Sequence, residues 1–488
     1  MVPAKKHILV SLTAVVILIT LAGCGGGNSI NFPPPQGSFT NANLNGPFAF
    51  SYTGSDAGGF LAVAGSFVAD GAGHITSGTQ DINSGSAVSP NVAVSGTYLV
   101  RSDGRGTVTL NSSSVGTSTL DFVIVAGGHA LVTRFDNRAT GSGTIDQQTT
   151  SAFSNAALAG PFAFTLSGID AGGVPLAVGG AFTSDASGTL TSGIDDSNDN
   201  GLVTTNDPMT GSIPMTSTAR GTATLNTSRG ALTFAYYVVD ANHVKIVGTN
   251  TLPALGGEAF RQTGPFNNAS VSGPFAFTTA GADLLNGNPF AAGGVLTSDG
   301  AGNLTSGLED FNDGGSVSTA VPFTGTYAMA ANGRGTLTLN TTAGTFSFVI
   351  YPSSGGVLVL EIDSRFLTSG AALQQQTTPF TAGSFQGPYG MNFTGASGGG
   401  SELDSIAEFT ADGVNRLNGI IDINNSGGIT FGQSMTGTFV ANSNGRNALS
   451  LQTPLGAQST IMYLVNPNRA LFIEVDGNLV AAGDIRHQ

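Results

Sequence analysis

Two sets of polar residues recur through this chain at fixed offsets. The first is acid and base: Asp70, Asp185, Asp299 and Asp412 stand in turns, and Arg105, Arg220, Arg334 and Arg446 follow them by 35, 35, 35 and 34 residues. Either each aspartate bridges to its arginine across neighbouring hairpins, or the two are independent turn residues, the aspartate opening an Asx-type turn. An exposed pair would contribute about 0–1 kcal/mol, so both readings are structural. The second set is Asp-x-Asn: Asp81 with Asn83, Asp196 with Asn198, Asp310 with Asn312, and Asp422 with Asn424. On a strand the two side chains share one face. Asp195, Asp199, Glu309 and Asp313 add acid beside two of the copies. Oxygen ligands gathered in this way would take calcium, or would close a loop through bonds to backbone. The spacing fits neither an EF-hand loop nor a Gly-Gly-x-Gly-x-Asp repeat, and Asp and Asn favour turns for local reasons, so loop closure is the preferred reading.

Catalytic signatures are weak. None of the five histidines, His7, His74, His129, His243 and His487, recurs across all four modules, and His/Cys spacing for zinc is missing. Gly398-Gly399-Gly400 lacks the strand–helix context of a phosphate loop. A carboxylate pair for glycoside chemistry is the one enzymatic alternative, an envelope hydrolase, and the chain is read as a non-enzyme.

The elements that position these residues come from a repeat. Gly46-Pro47-Phe48, Gly160-Pro161-Phe162, Gly273-Pro274-Phe275 and Gly387-Pro388-Tyr389 lie 114, 113 and 114 residues apart, which means four tandem copies of one module large enough for its own core. The modules are expected at 38–150, 151–263, 264–378 and 379–488. Turn signals cut the first into eight strands, at about 48–53, 60–69, 74–81, 92–101, 107–111, 119–125, 130–135 and 143–148. Eight consecutive strands with hairpin-length links predict an antiparallel up-and-down barrel, four times over, with tandem β-sandwiches as the alternative. Phe39-Thr40-Asn41-Ala42 and its copies before each first strand predict a short helical turn that plugs one barrel end.

Charged residues are 9% of the chain and tryptophan is absent. Without 1–23, which carry Lys5 and Lys6, 14 of the 16 Lys and Arg face 30 Asp and Glu, a balance of −16, and Lys245 is the one lysine left. No basic stripe exists to displace counterions, so nucleic acid is excluded as a partner.

Residues 1–23 combine Lys5, Lys6 and His7 with an apolar run over 8–21 that ends in Leu21-Ala22-Gly23-Cys24. This resembles the lipobox of bacterial lipoproteins. The resemblance implies cleavage before Cys24, acylation (palmitate among the acyl groups) of that cysteine, and, with Gly25 rather than aspartate next, the outer membrane. Residues 24–37 read as a Gly/Pro-rich tether. A short turn, a Gly-x-aromatic entry and eight strands resemble the calycin group of lipocalins and avidins. That resemblance implies the barrel and a late-strand arginine packing on the first-strand ring, a part assigned to Arg261 and Arg486, with Gln147 and Gln375 in the other modules. Without tryptophan no biotin pocket is carried over. The expected role is non-enzymatic: binding or structure in the envelope, towards a glycan or surface protein. The alternative is a carrier of small apolar ligands in the barrel lumens. No cofactor is expected apart from the calcium alternative.

Overall fold

The computed structural model describes residues 38–488 apart from 216–217, 343, 377–378 and 398–399. The signal segment, Cys24 and the tether lie outside the described residues.

In the first module eight strands, Asn45–Asp56, Gly59–Asp70, His74–Asn83, Val88–Val100, Arg105–Ser112, Gly116–Val125, His129–Arg134 and Ala139–Gln147, pair each with the next. The last returns antiparallel to the first, Phe48 opposite Gln147, and closes a barrel. The third and fourth modules close in the same way. The second is a nine-stranded, nearly closed sheet, because its fourth strand is broken into Leu202–Pro208 and Thr210–Ser212. Pro208 and Pro214 flank the second piece, and neither has an N–H to give to a ladder.

Alternation drives each barrel: inward apolar side chains on all strands meet on the barrel axis. The first lumen is packed with Phe48, Phe50, Tyr52, Phe67 and Phe122, and the fourth with Tyr389, Met391, Phe393, Phe409 and Phe472. The second leaves an apolar void of about 40 Å³, which is room for little more than water.

Short helical turns precede each first strand, at Asn41–Asn43, Asn155–Leu158, Asn268–Ser270 and Ala382–Ser384. Leu44, Leu158, Val271 and Phe385 beside them belong to the buried cores, so the turn closes its barrel end. Asn41, Asn155 and Asn268 accept the N–H of Val100, Met215 and Met329 at 2.8, 2.8 and 2.9 Å, tying turn to strand. The fourth copy has Ala382 there and packs Phe385 instead, 4.6 Å from the Tyr389 ring and 5.3 Å from Phe439. Arg261 lies over Phe162 at 4.7 Å, as the calycin resemblance implies. The register corrects two of its other assignments by one residue: Gln374, not Gln375, faces Phe275, and His487, not Arg486, faces Tyr389.

Phe385→Ala removes the fourth plug's main side chain, and a loss of about 3–5 kcal/mol in urea unfolding of the chain is expected.

Candidate functional site

Each barrel is built to grip the next. Asp81 receives Arg220 of the second barrel through two bonds, Nε to Oδ2 at 2.7 Å and Nη2 to Oδ1 at 2.8 Å. Asp196 receives Arg334 of the third in the same way, at 2.7 and 2.6 Å. Asp310 receives Arg446 of the fourth, Nε to Oδ2 at 2.8 Å with a second bond from Nη2. A tyrosine on the same barrel as the arginine adds its hydroxyl each time: Tyr237 to Asp81, Tyr351 to Asp196, and Tyr463 to Asp310. Burial and the adjoining carboxylate raise the pKa of all three phenols, so each stays a donor. Asp422 of the fourth barrel meets Arg105 of the first, so the row closes into a ring.

Asn does the second half of the work. Its amide crosses to carbonyls in the seventh-to-eighth-strand turn of the next barrel: Asn83 to Gly248 and Asn250, Asn198 to Glu361, Asp363 and Phe366, Asn312 to Glu474, Asp476 and Leu479, and Asn424 to Arg134, Asp136 and Ala139. Its carbonyl oxygen accepts from its own loop, at Gly85, Gly201, Gly315 and Gly427. Loop closure is therefore half of the role, and the missing half is the neighbour. Guanidinium groups stand where the calcium reading would put a metal. Among the described residues no group of three or more His, Cys, Asp or Glu is placed to hold one.

The turn pairs read from the sequence are corrected. Asp70, Asp185, Asp299 and Asp412 bond the backbone N–H groups of their own turns. Arg105, Arg220, Arg334 and Arg446 reach outward instead, because a buried carboxylate on the adjacent barrel binds a guanidinium more strongly than an exposed turn does. Sequence reasoning also missed Gln148, Gln262, Gln375 and Gln488, whose amides bond carbonyls of the next barrel at Val238, Gly333, Leu464 and Asp103. Their period of 114, 113 and 113 residues was the available signal.

The closing joint differs from the other three. Val123 takes the place of the tyrosine, and Ile406 the place of the small residue that faces it elsewhere, Ala64, Gly179 or Gly293. A Cβ on Gly293 would sit 2.5 Å from the Tyr463 ring, so that swap is reciprocal in size. Arg105 gives Asp422 a single bond of 3.2 Å and turns its Nε to Asp103. Burial accordingly pushes the Asp422 carboxyl up. Asp404 supplements this joint, accepting from Thr140 at 2.5 Å and Ser142 at 2.9 Å.

Where the barrels meet, first, seventh and eighth strands of all four enclose a cavity of about 630 Å³. Ser142, Thr144, Ser167, Thr278, Ser369 and Asn392 give it a polar wall. Two charged groups adjoin it. In one, Lys245, fully buried, reaches Asp146 at 2.6 Å and Glu258 at 2.9 Å, while His129 bonds Asp146 and His243 lies 3.2 Å from Glu258. Burial alone would raise both carboxyls, but Lys245 together with His129 and His243 outweighs it and holds them below their ordinary range. In the other, Arg469 and Arg486 share Asp484 at 2.9 and 2.8 Å. That leaves one positive charge in excess on the fourth barrel's wall. The third barrel offers only neutral groups, Ala371 and Leu373 among them. The sequence signal for the first cluster was the solitary Lys245.

The fold and site define a ring of four eight-stranded barrels around a charged axial cavity. No family model matches the chain, and no curated protein is similar to it. Among solved structures, a single-site mutant of the vaccine antigen Transferrin Binding Protein B from Haemophilus parasuis aligns over 78% of this chain and 82% of its own, at 10% identity and a TM-score of 0.20. A likeness at that score carries no argument about this chain.

Asp196→Ala strands Arg334 and Tyr351 in a buried joint, and a loss of about 3–5 kcal/mol is expected in chemical denaturation. Asp422→Ala, with one long bond across its joint to lose, should cost less. A pH dependence follows from the other buried acids. Burial pushes Glu361 and Glu408 up to about 8 and Glu474 up to about 9. Each keeps its proton when folded and loses it when unfolded, so stability falls as pH rises from about 4.5 through those values. Asp146 and Glu258 act in the opposite sense, and their contribution is lost only as acid titrates them. The Tm should therefore drop in order from about pH 5 to 7 to 9.

Proposed function

We propose that this chain is a non-enzymatic binding protein of the bacterial cell envelope, held to the outer membrane by acyl groups on Cys24. Repetition serves closure: the four modules wall one shared site, rather than offering four separate ones along a string. The observation that carries this reading is the axial cavity of about 630 Å³, to which every barrel contributes. Pockets of that size and mixed polarity suit small ligands or the end of a larger one. Hydroxyl and amide groups around it, with Arg469 and Arg486 on one wall and Asp146 and Glu258 on another, favour a polar partner, such as the end of an envelope glycan. The packed lumen of the fourth barrel and the void of about 40 Å³ in the second argue against apolar cargo inside them.

The test is native mass spectrometry of the detergent-extracted chain from its host. An acylated mass that disappears in Cys24→Ser, and a polar adduct that is lost in Arg469→Ala, are the expected results. An apolar adduct that survives Arg469→Ala would return the lumen carrier to first place.

A further inference from the structure

The third barrel is unlike its siblings at one end of its lumen, opposite the helical turn. Thr279 stands where the other barrels place Tyr52, Leu166 and Phe393, and Ala292 where the first two place Val63 and Val178. The space so vacated is a pocket of about 300 Å³. Its rim carries Phe290 and Phe311, stacked at 6.0 Å, where the other barrels have aliphatic or small residues. Phe366 lies 4.7 Å from Phe290 and 5.8 Å from Phe346, completing an aromatic wall.

Two glutamates face this pocket without a cation. Glu361 is 3% exposed, and its Oε2 accepts from Thr368 at 2.6 Å while its other oxygen has no hydrogen-bond partner. Glu309 lines the same pocket and makes no side-chain hydrogen bond. Two sibling barrels neutralise the corresponding positions: the first has Gln80 and Arg134, and the second pairs Asp195 with Arg229. The fourth has a single carboxyl there, Glu474, bonded to Thr460 and set beside Ile421. In the third, Arg365, the one cation at the pocket among the described residues, lies over Phe366 at 4.5 Å and is drawn off to Asp283 at 3.0 Å. Aromatic faces attract cations, and two desolvated carboxyls supply the charge to match.

We propose that the third barrel binds a small organic cation, a protonated amine on an apolar group, with the ammonium between Glu309 and Glu361 and the apolar part against Phe290, Phe311 and Phe366. The site is separate from the axial cavity and independent of what binds there. Burial pushes Glu309 up to about 7 and Glu361 up to about 8. The other ionisable groups at the pocket are Asp313, Asp363 and Arg365, with Asp283 behind Arg365. Binding a cation therefore expels protons from the two glutamates, and affinity rises with pH until they are ionised or the amine itself deprotonates.

The experiment is calorimetric titration of the whole chain with 2-phenylethylamine and with its neutral analogue 2-phenylethanol, at about pH 6 and 8.5. Expected are saturable binding of the amine, tighter at the higher pH, and a loss of about tenfold or more for Glu361→Gln and for Glu309→Gln. Thr279→Tyr, which restores the side chain of the first barrel, should abolish binding with the Tm kept. Equal binding of amine and alcohol, or binding of neither, would overturn the proposal. So would amine binding that Thr279→Tyr leaves intact in a folded protein.

Discussion

The architecture depends on one buried ion pair made repeatedly, an aspartate on the third strand of one barrel held by arginine and tyrosine of the next. Removing both ions from water costs several kcal/mol each, so such a pair adds little by itself. Its value lies in geometry. A carboxylate that accepts two guanidinium bonds and a phenol has one orientation in which all are satisfied. The apolar faces around it, small residues such as Ala163, Ala177 and Ala181 against Tyr351, Leu358 and Leu360, supply the area, and the ionic latch selects which part of that area meets which. The Asn amide, bonded to carbonyls of a turn on the same neighbour, pins a second point and fixes the angle between barrels.

An interface with one face on each side of a module propagates without end unless its rotation closes. Here four steps close. The closing joint is marked by its own chemistry, with Val123 against Ile406 and Asp404 against Thr140 and Ser142. A tyrosine brought against Ile406 would clash, and a valine brought against Gly293 would leave a void. The fourth barrel is thereby matched to the first and mismatched to the tyrosine-bearing faces of the second, third and fourth, which fixes the order in which barrels meet.

Much of this was legible in the sequence. The 113–114-residue period, the Gly-Pro-aromatic entry and the turn residues mark eight-stranded modules, because hairpin turns and alternation are local properties. The polar residues of the joints were visible as a pattern, and their partners were not. Asp81 and Arg220 lie 139 residues apart, and a reading confined to one module pairs Arg105 with Asp70, the recurrent acid in the neighbouring turn at the same barrel end. Contacts between modules become readable only when residues from adjacent repeats are considered as one set. The axial cluster was harder still, since Lys245 and Asp484 break the repeat rather than follow it. Tyr52, Leu166, Thr279 and Phe393 show the same thing inside the barrels: the departures from the period hold the chemistry.

The joint between the fourth and first barrels is made without a covalent link, yet it uses the same elements as the joints that a peptide crosses. Connectivity and architecture are thus separable in this molecule. A circularly permuted gene, fused across the present seam and opened between any other two barrels, would encode the same ring with its break relocated, and the anchored end could be moved to any quadrant.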